Sequence, residues 1–147
     1  MSGLVSPSLA LEQTIRIKAP RERVFALLTD VAHLPRWMPV VSFEARLGGR
    51  FEMVKDEWTA EGEVVEFEPP RAVAFTWDWR NQPLGARTVV RFELEEDGPE
   101  TVVRLTHTGF SEQAQQESHG AGWAHYAGRL KTIAEGGDPG SDHPVLR

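Results

Sequence analysis

The sequence contains no cysteine, so disulfides, thiolate nucleophiles and thiolate metal sites are all excluded. It holds no apolar run approaching the ~20 residues that a membrane span requires. Positive charge is also in short supply. Sixteen Lys and Arg stand against 22 Asp and Glu, a formal net charge of −6. A nucleic-acid binder needs a basic face to neutralise phosphates, so that class is set aside, and adhesion to anionic membranes is disfavoured. The opening residues MSGLVSPSLALEQ lack the basic start and long apolar middle of a signal peptide. With no cysteine beside that, the expected compartment is the cytoplasm. Catalytic signatures are missing too. There is no HExxH, no GxSxG and no Ser–His–Asp order that suggests a triad. Gly48-Gly49 leads into a strand rather than a helix, so it reads as a hairpin turn and not as a phosphate loop.

What is present is a folded, aromatic-rich chain. Its 147 residues suit one domain, large enough to bury well over half of its unfolded surface. Residues 1–10 read as a flexible lead-in, 11–137 as a single domain, and 138–147, with two prolines and no apolar period, as a disordered tail. Leu11 to Lys18 alternates as a strand with one wet face. Pro20 opens a helix, on which Val24, Leu27 and Leu28 form an apolar stripe. Asp30 caps a second short turn through Leu34, ended by Pro35 and Pro39. Trp37 and Met38 then fall on an exposed irregular corner.

Strands are expected at Val41–Leu47 and Arg50–Val54, joined by a tight Gly48-Gly49 turn. Further strands follow at Ala60–Glu68, Ala72–Trp79, Arg87–Glu95 and Thr101–Thr108. A long helix from Glu112 to Glu135 stops at Gly136-Gly137. Short turns between successive strands predict an antiparallel meander, and the fold class is α+β.

Period-two alternation sorts the faces. Val73, Phe75, Trp77 and Trp79 share one side, as do Val90, Phe92 and Leu94, and then Val103, Leu105 and His107. On the long helix, His119, Trp123, Tyr126, Leu130 and Ile133 make one stripe, with Ala127 and Ala134 widening it. Gly120 and Gly122 each weaken that helix by roughly 1 kcal/mol relative to alanine. Burial of Trp123 and Leu130, at roughly 1.5–3 kcal/mol for each large apolar side chain, offsets them.

The segments GEVVEFEPPRAVAFTWDW, TVVRFELEEDGPETVVRLTHTGF and HGAGWAHYAGRL, together with KAPRERVFALLTDVAHLPRW, resemble the activator of 90-kDa heat-shock-protein ATPase homologue-like domains of the START-like (SRPBCC) superfamily. The likeness runs from about Leu11 to Gly136. It implies a helix-grip fold: about seven antiparallel strands curved around the long C-terminal helix, with two short helices between the first two strands. It also implies a cavity between sheet and helix. Pro35 departs from the pattern and should shorten the second short helix.

The candidate cavity residues are Phe75, Trp77, Trp79, Phe92, Leu105, His107, His119, Trp123 and Tyr126. They make either a solid core or a pocket walled by aromatics with a few polar anchors; both arrangements stay open. His107, His119 and Tyr126 would be its polar end and the candidate acid–base groups. The alternative for His107 is a core histidine satisfied by its neighbours. His33, His125 and His143 read as solvated. No carboxylate lies at ligand spacing beside His107 and His119, so neither metal nor other cofactor is expected.

The leading reading is a carrier or binding module for a small hydrophobic molecule rather than an enzyme. The rivals are an acid–base enzyme of the polyketide cyclase or hydrolase kind, and a stress-related module that regulates a chaperone partner. A homodimer suits such domains, with the Trp37–Met38 corner or Trp58 as the contact.

Overall fold

The structure, a computed structural model, describes residues 9–140. Alternating residues from Leu9 onward build β1 (Leu9–Ile17). It is followed by α1 (Arg21–Thr29), a 3₁₀ turn (Leu34–Arg36), β2 (Val40–Phe43), β3 (Arg50–Lys55), β4 (Trp58–Glu68), β5 (Ala72–Trp79), β6 (Thr88–Asp97), β7 (Glu100–Phe110) and α2 (Gln113–Ala134). The seven strands form one antiparallel sheet in the order β1-β7-β6-β5-β4-β3-β2. The chain therefore runs as a meander from β2 to β7 and is closed by β1 on the far side. A register shift between Val64 and Glu66, where β4 pairs with β5, bends the strand as bulges do. The sheet curves over α2, so the expected α+β helix-grip architecture is what the chain adopts.

Four local expectations change. The first strand begins at Leu9, opposite Phe110, so Leu9 and Ala10 belong to the sheet and not to a lead-in. The rest of the expected lead-in, and residues 141–147 of the expected tail with His143, lie outside the described residues. The β2–β3 connection is not a tight two-residue turn. β2 stops at Phe43, and Glu44–Gly49 form a wider loop. It is held by Glu44 N–H to the Arg50 carbonyl at 2.9 Å and by Gly48 N–H to the Val64 carbonyl at 2.9 Å. Both glycines are required there. Gly48 has φ +77°, and a Cβ on Gly49 would sit 2.1 Å from the Glu44 carbonyl oxygen.

Pro35 lies inside the short 3₁₀ turn instead of ending it, since the first residues of such a turn need no N–H. The Trp37–Met38 corner is not exposed. Trp37 is 1% and Met38 2% accessible, and Trp37 Nε1–H donates to the Leu27 carbonyl at 2.8 Å. The corner folds under the sheet as a plug.

Side chains from α2 close the outer edge of β1. Gln116 Nε2 donates to the Ala10 carbonyl and Lys131 Nζ to the Arg16 carbonyl. Arg23 of α1 caps the other end of α2, with Nε on the Ala134 carbonyl at 2.8 Å and Nη2 on the Ile133 carbonyl at 3.0 Å. A guanidinium suits the negative end of a helix. These contacts fix the long helix across the concave face of the sheet and so set the space between them.

Candidate functional site

A cleft of about 270 Å³ opens between the strands and α2. Met53 and Lys55 come to it from β3, Trp77 and Trp79 from β5, and Ser118, His119, Gly122, Trp123 and Tyr126 from α2. The placement follows from the two periods: strand residues i and i+2 share the concave face, and helix positions 119, 122, 123 and 126 share the facing stripe. Its walls are mainly apolar, as small-molecule sites usually are. A groove of about 530 Å³ beside Pro83–Thr88 has more polar walls, including Glu63, Asp78 and Arg87.

The aromatic rings interlock. Trp77 packs edge-on against Trp79 with centroids 5.4 Å apart, tilts against Trp123 at 5.4 Å, and stacks on Phe51 at 5.5 Å. Two of the indoles donate to histidines. Trp123 Nε1–H reaches His107 Nδ1 at 3.0 Å, and Trp79 Nε1–H reaches His119 Nε2 at 2.9 Å. An indole nitrogen can only donate, so these imidazole nitrogens are acceptors and the ring protons sit on the other side.

His107 Nε2–H then faces Thr88 Oγ1 at 3.0 Å, and the Thr88 hydroxyl donates to the Trp77 carbonyl at 2.6 Å. His119 Nδ1–H donates to the Gln115 carbonyl at 2.7 Å. Burial pushes the His107 imidazole down to about 3, with the nearby His119 acting in the same direction. Burial also lowers His119, against the opposing pull of the Gln115 carbonyl. Both rings are thus neutral and fully bonded.

The expected residues divide. Trp77, Trp79, His119, Trp123 and Tyr126 line the cleft. His107 is 0% accessible and stands behind it, 5.4 Å from His119 between ring centroids. Leu105 is equally buried. Phe75 and Phe92 face a separate gap beside Leu34, Trp37 and Phe43 that has no room for a water molecule. Five of the nine are therefore cleft wall and four are solid core. Neither His33 nor His125 lines the cleft, although the His125 ring packs against Tyr126 with centroids 5.0 Å apart. Among the described residues no group of three His, Asp or Glu side chains converges as a metal ion would need.

Sequence reasoning missed Met53, Lys55, Ser118 and Gly122 as lining groups. The signal for the first two was available. Phe51, Met53 and Lys55 alternate, so Lys55 falls on the inward register of β3. Its Nζ stands 5.8 Å from the centroid of the Tyr126 ring, within cation–π range.

A curved antiparallel sheet gripping one long helix, with an apolar cleft between them, defines a START-like helix-grip domain. This chain belongs to the activator of Hsp90 ATPase homolog 1-like protein family, whose model matches residues 18–135. Its fold is similar to that of the AHSA1 protein from Silicibacter pomeroyi, at 26% identity and a TM-score of 0.73 over 85% of this chain and 96% of that one. It is likewise similar to the Aha1 dimer from Colwellia psychrerythraea (24% identity, TM-score 0.74, 88% and 98% covered). A third similar structure is an HSP90 activator from Plasmodium falciparum (22% identity, TM-score 0.73, 84% and 94% covered). No curated protein matches the chain by sequence. No helix of the described residues is long and apolar enough to cross a membrane.

Proposed function

We propose that this protein is a binding or carrier module that takes a small hydrophobic molecule into the cleft between β3, β5 and α2. The observation that carries the reading is the cleft itself: about 270 Å³ walled by Met53, Trp77, Trp79, Trp123 and Tyr126 beneath a helix held in place at both ends. A space of that size suits a small ligand. The state of the histidines weighs against acid–base catalysis in the same place. A general base needs a lone pair within reach of substrate, and the lone pairs of His107 and His119 are already taken by Trp123 and Trp79. A chaperone partner is a second reading. It draws on family membership and on the Plasmodium relative's description as an HSP90 activator.

Native mass spectrometry of protein purified gently from its own host tests the binding reading. The expected spectrum contains a species heavier than the bare chain by a small organic mass, which a neutral apolar probe such as N-phenyl-1-naphthylamine displaces. A spectrum of bare chain alone, with no binding of that probe to the protein, would overturn it.

A further inference from the structure

The cleft carries one charge in otherwise apolar surroundings. Lys55 occupies the third inward position of β3, after Phe51 and Met53, and it lines the cleft. Among the described residues its ammonium lies at ion-pair distance from no carboxylate; its neighbour is the face of Tyr126. The other basic side chains of the concave sheet's surroundings behave differently. Arg23 is spent on the end of α2, and Arg50 and Arg80 pair with Glu52. A lysine at an apolar mouth without a counter-ion is a local demand for negative charge.

Resting on the binding reading above, we propose that the cleft selects small apolar molecules that end in one anionic oxygen group, with the Lys55 ammonium as the counter-charge. The apolar body lies against Trp77, Trp79 and Trp123, and the carboxylate or equivalent oxyanion stays at the mouth beside Lys55. The chain's net charge of −6 repels anions over the rest of the surface, so a preference for the anion has to come from this one side chain.

A matched pair of probes separates the two levels of the claim: 2-naphthoate, anionic at pH 7, and 2-naphthamide, neutral and nearly the same shape. Isothermal titration at about 0.15 M salt should show naphthoate binding about tenfold or more tighter than naphthamide, the range of a hydrogen bond to a charged group. Lys55→Met should abolish or reverse that preference. Lys55→Arg should keep it. Thermal melts of both variants check that the fold is intact, and Lys55 lies at the end of a strand where the change is tolerable. Equal binding of the two probes to the unaltered protein, or a preference that survives Lys55→Met, would overturn the anion proposal while the binding reading stands. If neither probe binds, the binding reading itself fails and the anion proposal falls with it.

Discussion

His107 shows how a single residue settles into its role. Alternation with Val103 and Leu105 is enough to turn it inward, and that much was legible in the sequence. Its partners were not, because Thr88 and Trp123 arrive from another strand and from α2. Once both ring nitrogens are bonded, the histidine is a neutral structural link and no longer a proton carrier. The consequence is a pH dependence of stability. In the unfolded chain a histidine titrates near 6.5, whereas in the fold His107 is held at about 3. Between those values the unfolded state binds the proton and the native state does not. Stability is therefore fully present above about pH 6.5 and is lost as pH falls toward 3, by up to about 1.4 kcal/mol per pH unit for such a group. His119, lowered in the same direction, adds to the slope. Urea unfolding at pH 7.5 and 4.5 should show a marked loss for the natural protein. His107→Gln should begin less stable at pH 7.5 and lose less on acidification. Equal losses in the two proteins would assign the acid sensitivity to other groups.

At the scale of elements, α2 was readable as a stripe from its steps of three and four, and its Trp123, Tyr126, Leu130 and Ile133 are all buried. What the period could not give is how closely each turn approaches the sheet. The helix is near β1 at Gly120, where a Cβ would meet Leu11 at 3.9 Å, whereas at Gly122 and Gly128 an added Cβ would meet nothing within 4 Å. The two open glycines differ in one respect: Gly122 lines the cleft and Gly128 is exposed. Replacing a helical glycine by alanine without a clash gains about 0.5–1 kcal/mol. Gly128→Ala should therefore raise the melting temperature by a few degrees and leave naphthamide binding untouched. Gly122→Ala should give a similar gain in stability and weaker binding, because its methyl group takes up part of the cleft. Calorimetric melts with a titration of each variant check the pair. Equal affinities for both variants would mean that the ligand sits elsewhere. The same limit on local reading explains Lys55. Its register was visible, but that a charge on that register faces a tyrosine of α2 depends on a helix that follows 58 or more residues later in the chain.

Across the whole molecule the concave face is split into a packed end and an open end. The meander from β2 to β7 and the single long helix followed from the sequence because short turns and two periods leave few alternatives, whereas the pairing of β1 with β7 did not. The division did not follow, since it depends on what fills the gap between layers. Pro35 and Pro39 make residues 36–38 look like an external corner. Instead, that corner is drawn under the sheet by Trp37, whose indole reaches Leu27, and by Arg129 of α2, whose guanidinium takes the Trp37 and Arg36 carbonyls. The plug closes one end, with Leu28, Phe43, Phe75 and Phe92 around it, and leaves the Trp77–Trp123 end open. This placement makes Trp37 a core residue and not a contact between subunits. Truncating a buried tryptophan costs about 3–5 kcal/mol, a large part of the 5–15 kcal/mol that holds a domain together. Trp37→Ala should lower the melting temperature by roughly 10 °C without changing the elution volume in size-exclusion chromatography. Trp58, 39% accessible and touching Trp79 edge-on, is the remaining candidate for a contact between copies. Trp58→Ala should cost about 1 kcal/mol or less in the melt, as surface substitutions do, and any shift in elution volume should appear in this variant. A Trp37→Ala protein that melts normally but elutes later would return the corner to the surface and the packed end of the grip with it.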